Sequence, residues 1–204
     1  MKLYYVSGAC SLAPHIIARE LGLAVDLVRV DVATKQTSDG RDFRRINPKG
    51  SVPALELEDG TVLTEGPAID QYLADLVPES GLAPASGSFE RYRLQEWLNW
   101  ISSEVHKGFG PLWSKDTPET VHEQTKEKLA EKFGFLDRHL TSAEFILGHY
   151  TVADAYAFAV ISWAPLYAID LGRWPNLSRY HARIAARPAV RSAMAAEGLL
   201  AEAA

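Results

Sequence analysis

Cys10 is the only cysteine of the 204 residues, and its position suggests a reactive thiol. It follows Gly8 and Ala9 after a predicted strand, and it precedes a predicted helix with Pro14 in its first turn, where proline is tolerated. The backbone N–H groups and the dipole at a helix start stabilise a thiolate. The alternative is a small buried hydrophobic residue, as most single cysteines are. Because there is no second cysteine, a dithiol oxidoreductase and a multi-cysteine zinc site are excluded.

A second candidate is the segment with Val52 and Pro53, which lies between a turn at residues 47–50 and a predicted strand. An X–Pro bond in this position is a candidate for the cis form. A cis bond would turn the backbone N–H and C=O of Val52 outward, where an extended peptide could pair with them. The alternative is a trans proline that opens an edge strand.

A third candidate is the pair Glu65 and Gly66, which precedes a helix predicted to begin at Pro67. The carboxylate of Glu65 and the N–H of Gly66 suit a ligand that carries one ammonium and one carboxylate group. The alternative is that Glu65 only complements the dipole of this helix.

Polar side chains form a stripe on the first long helix predicted beyond residue 88, on the side opposite its apolar residues. A solvated helix face is the alternative interpretation. The members of the stripe are Asn99, Ser103, His106 and Lys107.

Thr151 and Asp154 have the spacing of a capping box, with an acid where Glu or Gln is commoner. They head a segment, 152–169, whose apolar length approaches that of a short membrane span. Asp154, Ser162 and Pro165 within it would be costly in lipid, so we interpret the segment as a buried core helix and the capping box as structural.

The elements that position these residues divide the chain in two. Up to about residue 80 the pattern predicts the order β-α-β-α-β-β-α, a small mixed sheet covered by helices. Val28, Val30 and Val32 alternate and are predicted to share one strand face. Residues 78–88 are typical of a linker, and beyond them only helical periodicity appears. The predicted fold class is α+β, with domains at 1–80 and 88–204 and an all-helical second domain.

Composition excludes several classes of function. The net charge is −5, from 26 acidic and 21 basic residues, and no basic block is present, so nucleic-acid binding is not expected. A hydrophobic content of 47% is enough for a folded core. The apolar run at the start is too short for a signal peptide. We therefore expect a cytoplasmic protein with no metal site and no membrane partner.

Together these residues resemble the pattern of bacterial glutathione transferases of the cysteine-type, or beta, class. The resemblance runs over nearly the whole chain, with each motif in the right order and on the right kind of element. It implies a thioredoxin-like first domain that binds glutathione as co-substrate, with no cofactor, and a helical domain that closes the site. The glutathione-binding residues that the resemblance implies are Ala9, Cys10, Lys35, Val52, Pro53, Glu65, Gly66, Asn99, Ser103, His106 and Lys107.

The resemblance also implies roles. Val52 would pair with the cysteinyl unit with Pro53 in cis, Glu65 and Gly66 would hold the γ-glutamyl end, and Lys35 would reach the glycyl carboxylate. The residues expected to act on the sulfur, and so to be catalytic, are Cys10, Ser11, His106 and Lys107. Related classes use Tyr or Ser near the N-terminus, so Tyr5, Ser7 and Ser11 are rivals to Cys10. Many family members have a serine at the position of Gly66, whose hydroxyl this chain lacks.

The expected reaction is attack of the glutathione thiolate on a small hydrophobic electrophile, in detoxification or dehalogenation. Leu112, Trp113 and Trp163 are candidates for the electrophile pocket. One alternative is a thiol-disulfide oxidoreductase or peroxidase that works through a mixed disulfide on Cys10. Another is a non-catalytic binding protein on the same fold, which would be expected to lose the glutathione-contacting residues. A homodimer is implied by the family.

Overall fold

The computed structural model describes residues 1–200, which form two compact units. The first unit comprises residues 1–83 and the C-terminal segment from residue 186, and the second comprises residues 84–185. Among the described residues no helix has both the length and the apolar character that crossing a membrane requires.

The first unit is built on a four-stranded mixed sheet in the order β2-β1-β3-β4. β1 is parallel to β2 and antiparallel to β3, and β3 is antiparallel to β4. The predicted second helix of this region is a short 3-10 turn, Phe43–Arg45. The elements are β1 (Lys2–Tyr5), α1 (Leu12–Glu20), β2 (Asp26–Arg29), β3 (Ala54–Glu56), β4 (Val62–Thr64) and α2 (Gly66–Asp75).

Alternation along the strands gives this unit a core on both faces of the sheet. Tyr4, Val28, Val30 and Phe43 form one buried cluster, as the valine alternation predicts for Val28 and Val30. The prediction is wrong for Val32, which is 60% exposed. β2 ends at Arg29, and Asp31 accepts hydrogen bonds from the N–H groups of residues 33 and 34. The chain therefore turns away from the sheet before it reaches Val32.

The last helix, α7 (Pro188–Ala196), belongs with the first unit and packs on α1. Arg187 donates two hydrogen bonds to the carboxylate of Glu20, at 2.6 and 3.1 Å. The domain limits predicted from sequence, 1–80 and 88–204, assign this helix to the helical domain instead. Periodicity shows that a helix has an apolar face, but it does not show which helix that face contacts.

The second unit is helical throughout. The first long helix predicted beyond residue 88 is an α-helix only as far as Trp100, and from there the chain changes its helical type twice. Residues Ile101–His106 form a π-helical turn, and residues Lys107–Trp113 form a 3-10 helix that contains Pro111. The α-helices are α3 (Phe89–Trp100), α4 (Glu119–His139), α5 (Val152–Ile161) and α6 (Pro175–Ala185).

α5 is the buried centre of the second unit, and every one of its residues is buried. The predicted capping box at its start is present, with the side chains of Thr151 and Asp154 both engaged. The Asp154 carboxylate also accepts hydrogen bonds from the Ile146 N–H at 2.9 Å and from the Tyr180 hydroxyl at 2.9 Å. These contacts confirm the structural interpretation of the pair and fix the start of α5.

Candidate active site

Cys10 lies half-buried in the loop between β1 and α1. Its thiol donates a hydrogen bond to the backbone carbonyl of Val52, with the sulfur 3.4 Å from the oxygen. The preceding residue, Ala9, is held by a hydrogen bond from its N–H to the Val6 carbonyl at 3.0 Å. The structure therefore brings together two predicted site residues that are 42 positions apart.

Ser11 is fully buried, and its hydroxyl is committed to the backbone of Val6. The Ser11 oxygen donates to the Val6 carbonyl at 3.1 Å and accepts from the Val6 N–H at 3.1 Å. A serine hydroxyl has one proton to donate. In this geometry the Ser11 proton is directed at the Val6 carbonyl, and Ser11 ties the end of β1 to the start of α1. The predicted action of Ser11 on a sulfur would require its hydroxyl to leave this bond.

Glu197, which follows α7, holds the loop that carries Cys10, and no pattern in the sequence predicts this contact. Its side chain is fully buried and accepts from the Gly8 N–H at 2.9 Å. The other carboxylate oxygen lies 2.9 Å from His15 Nδ1, and the Glu197 carbonyl accepts from the Ser7 hydroxyl at 2.5 Å. The hydroxyl of Ser7, a rival to Cys10, is therefore engaged. A lone acid near the end of the chain carries no local signal of such a role.

Lys35 and Glu65 share an unusual backbone conformation, with φ values of 58° and 72°. Only one other non-glycine residue among residues 1–200 has a positive φ. Such conformations cost free energy in residues with a side chain, and they concentrate at functional sites. Lys35 Nζ donates to the Gly50 carbonyl at 3.0 Å, and Glu65 forms an exposed ion pair with Lys49 at 2.7 Å. Both predicted ligand-binding side chains therefore project from backbone that is held in a specific shape.

The Val52–Pro53 peptide bond is cis, which confirms this part of the prediction. Pro53 is buried and contacts the first turn of α2. A Cβ atom placed on Gly66 would lie 3.7 Å from Pro53 Cγ, an ordinary van der Waals distance. The position of Gly66 therefore has room for a Cβ atom.

In the second unit, His106 ends the π-helical turn and is largely surrounded by aromatic rings. Its Nδ1 lies 2.7 Å from the hydroxyl of Tyr156. The ring centroids of Trp163 and Trp113 lie 5.0 and 5.9 Å from that of His106. Burial, together with the neighbouring charge of Lys107, lowers the pKa of His106 to about 4. His106 is therefore a neutral imidazole at neutral pH.

The other polar residues of the predicted stripe lie on three kinds of helix. Asn99 is exposed in α3, and the exposed Ser103 donates its hydroxyl to the Asn99 carbonyl at 3.0 Å. Lys107 is exposed, with Nζ 5.9 Å from the ring centroid of Trp113. The predicted stripe assumes one regular α-helix, so its spacing does not describe how these three side chains are placed. π-helical turns occur often at functional sites.

Comparisons with known proteins identify the family. Residues 8–76 match the model of the glutathione S-transferase N-terminal domain, and residues 100–188 match that of the C-terminal domain. Glutathione S-transferase GstA of Escherichia coli O157:H7 is 46% identical over 98% of this chain and 100% of the relative. This chain belongs to the glutathione S-transferase family.

Solved structures show which class of the family this chain resembles. A structure described as a ternary complex of BphK, a bacterial glutathione S-transferase, has a TM-score of 0.96 and 51% identity, covering 98% of this chain and all of that one. The beta-class enzyme of Sphingomonas chungbukensis has a TM-score of 0.95 and 44% identity over the same shares of the two chains. The transferase is therefore a beta-class enzyme that uses glutathione as co-substrate, with a thioredoxin-like first domain and a helical second domain.

Proposed function

We propose that the first unit binds glutathione through Lys35, Cys10, Val52, Glu65 and Gly66. The observation that carries this proposal is the 3.4 Å contact between the Cys10 thiol and the Val52 carbonyl, because it puts a thiol beside the backbone that is expected to pair with the cysteinyl unit. Glu65 supplies a carboxylate for the γ-glutamyl ammonium, and the N–H of Gly66 at the start of α2 supplies a donor for the adjacent carboxylate. Lys35 is the cation for the glycyl carboxylate. Ala9 and Pro53 shape the backbone around the cysteinyl unit.

In the second unit, we propose that Asn99, Ser103, His106 and Lys107 take part in binding and activating glutathione. His106 is neutral at pH 7, so it acts as a hydrogen-bond donor and not as a cation. The positive charge is supplied by Lys107. A donor and a cation near a sulfur both favour its thiolate form.

The proposed reaction is nucleophilic substitution on a small halogenated or aromatic electrophile. The glutathione thiol loses its proton to solvent, the thiolate forms a carbon–sulfur bond, and the bond from that carbon to the halogen breaks with release of halide. Leu112, Trp113 and Trp163 are the candidates for holding the apolar part of the electrophile. Trp113 and Trp163 lie with their rings 6.2 Å apart, and Trp113 is about half exposed.

A second candidate activity is thiol-disulfide exchange at Cys10, which the half-buried thiol beside Val52 favours. The Cys10 thiolate would attack the glutathione sulfur in the disulfide bond of a glutathionylated substrate. This step forms a mixed disulfide between Cys10 and glutathione and releases the substrate thiol. A second glutathione would then attack the mixed disulfide, restore Cys10 and leave as oxidised glutathione.

Conjugation to a chlorinated nitrobenzene tests the proposed function in the wild type and in three variants, Cys10→Ala, His106→Ala and Ser11→Ala. We expect conjugation to survive in Cys10→Ala and exchange with a glutathionylated peptide to be lost, because glutathione itself is the nucleophile in conjugation. We expect His106→Ala to lower kcat/KM for conjugation about tenfold, the loss of one hydrogen bond to a charged sulfur.

The controls separate binding from chemistry. Calorimetric titration with glutathione shows whether each variant still binds it, and thermal unfolding shows whether Ser11→Ala acts through stability. Loss of conjugation in Cys10→Ala with glutathione binding retained would contradict the assignment of Cys10 to exchange. A wild type that neither binds glutathione nor turns over the electrophile would contradict the proposed function as a whole.

We also propose that the protein is a cytoplasmic homodimer. The support for the dimer is the aromatic surface of α3, where Phe89 is 72% and Tyr92 is 60% exposed. Exposed aromatic side chains in this number are typical of a protein interface. Sedimentation velocity measures the mass directly, and a monomer at micromolar concentration would contradict the proposal.

A further inference from the structure

Tyr156 contacts His106 from the centre of the second unit. Its hydroxyl lies 2.7 Å from His106 Nδ1, although the two residues are 50 positions apart. Tyr156 is only 2% exposed, and it belongs to α5, whose first turn is fixed by the capping box. The tyrosine is therefore part of the buried core of the second unit, on a helix whose start is held by hydrogen bonds.

The direction of this hydrogen bond follows from the chemistry of the two groups. A phenol is a good donor but a weak acceptor, because the aromatic ring draws on the lone pair of its oxygen. The pyridine-type nitrogen of a neutral imidazole is among the strongest neutral acceptors in proteins. These properties favour donation from the Tyr156 hydroxyl to Nδ1, which leaves the single N–H proton of neutral His106 on Nε2.

We propose that Tyr156 is a positioning residue that holds His106 in its Nε2–H tautomer, so that the ring presents a neutral N–H donor to the sulfur of glutathione. This inference rests on the proposed role of His106 in activating glutathione. With the other tautomer, Nε2 would present a lone pair and repel a thiolate. Burial keeps the ring from protonating at neutral pH, and the charge of the adjacent Lys107 acts in the same direction. Glu104, the other charged residue near His106 in sequence, forms an ion pair with Lys132 at 2.7 Å.

The alternative is that Tyr156 is a core residue whose hydroxyl has only a structural role. Tyr156→Phe separates the two, because it keeps the ring and removes the hydroxyl. Tyr180→Phe is the matched control: Tyr180 is also buried, and its hydroxyl donates at 2.9 Å to Asp154 and not to His106. Both variants lose one buried hydrogen bond, so both are expected to lose stability.

The test is nitrogen NMR of the full-length enzyme labelled with ¹⁵N-histidine, at pH 7 with and without glutathione. The His106 signals are assigned by their loss in His106→Gln. We expect Nε2 of the wild type to be of the protonated, pyrrole type and Nδ1 to be of the hydrogen-bonded pyridine type. In Tyr156→Phe the Nδ1 signal should leave its wild-type position, whereas in Tyr180→Phe it should not move.

The pH profile of kcat/KM for the electrophile, measured at saturating glutathione, supplies the functional readout, because it reports the ionisation of the enzyme–glutathione complex. We expect the apparent pKa of the bound glutathione thiol to rise by about half to one unit in Tyr156→Phe, the scale of one weakened hydrogen bond. Tyr180→Phe should keep the wild-type profile. An Nδ1–H signal in the wild type, or an unchanged Nδ1 signal in Tyr156→Phe, overturns the proposal. If His106→Gln has a wild-type profile, the role of His106 in the proposed function fails, and the spectra still decide whether Tyr156 sets the tautomer.

Discussion

Single residues account for the chemistry that distinguishes this transferase, and Gly66 is the simplest case. The first turn of α2 offers the N–H of Gly66 but no hydroxyl for the γ-glutamyl carboxylate. The space is available, because a Cβ atom there would lie 3.7 Å from the nearest atom of Pro53. Contact with Pro53 therefore does not impose a glycine at this position.

Gly66→Ser is expected to tighten glutathione binding about tenfold, since a hydrogen bond to a charged group contributes on the order of 1.5 kcal/mol or more. Isothermal titration calorimetry with glutathione measures the change in Kd. Gly66→Ala is the matched control, because it adds the Cβ atom without the hydroxyl, and its Kd should remain at the wild-type value. Equal Kd values for the serine and alanine variants would contradict the proposed place of the γ-glutamyl carboxylate.

At the scale of elements, the loop that carries Cys10 depends on a helix from the other end of the sequence. α7 packs on α1, and Glu197 after it accepts from the Gly8 N–H and contacts His15. Ser11 fastens the same loop from within, through Val6. The cysteine therefore sits in a loop whose backbone is bonded on both sides, which is the preorganisation that a reactive group needs.

Glu197→Gln is expected to lower the free energy of unfolding by about 2 kcal/mol, because an amide cannot accept at both of its ends and leaves one buried partner unsatisfied. Urea denaturation measures this change. Glu123→Gln is the control, since Glu123 forms an exposed ion pair with Lys126 and its loss should change stability by less than about 0.5 kcal/mol. Similar losses in both variants would show that the Glu197 contacts do not stabilise the fold.

At the scale of the whole molecule, buried ionisable groups make stability depend on pH. Asp70 in α2 is fully buried, and neither of its carboxylate oxygens has a hydrogen-bond partner within residues 1–200. Burial without compensation raises the pKa of Asp70 well above its ordinary value. Burial also raises the pKa of Asp154, but there the hydrogen bonds that the carboxylate accepts act in the opposite direction.

The raised pKa of Asp70 predicts the direction in which its contribution to stability changes with pH. Its carboxyl holds a proton in the folded state at pH values where the unfolded chain has lost it, so the contribution of Asp70 to stability falls as pH rises from about 4 to the folded-state pKa. The difference in free energy of unfolding, Asp70→Asn minus wild type, should therefore grow across this window by up to about 1.4 kcal/mol per pH unit. Urea denaturation of both proteins at pH 4, 6 and 8 measures it. A difference that is constant with pH would contradict a protonated Asp70.

Much of the fold and part of the site could be predicted from local pattern. Strand alternation, helical periodicity and turn residues predict the α+β order and the change to helices beyond residue 88, because these signals arise between residues close in sequence. The capping box at Thr151 and Asp154 is readable for the same reason. The positions of Cys10, Val52 and Glu65 next to predicted element ends were enough to make them candidates.

The tertiary structure alone decided the rest, and two of these features join residues far apart in the chain. Glu197 accepts a hydrogen bond from Gly8, which is 189 positions away in the sequence, and Tyr156 is hydrogen-bonded to His106, which is 50 positions away. Ser11 shows a subtler limit: its residue type was suited to catalysis, but its hydroxyl is used by Val6. Sequence pattern reports which groups are present and which local structure they favour. Which partner takes each hydrogen bond depends on long-range packing, and that choice separates a catalytic donor from a structural one.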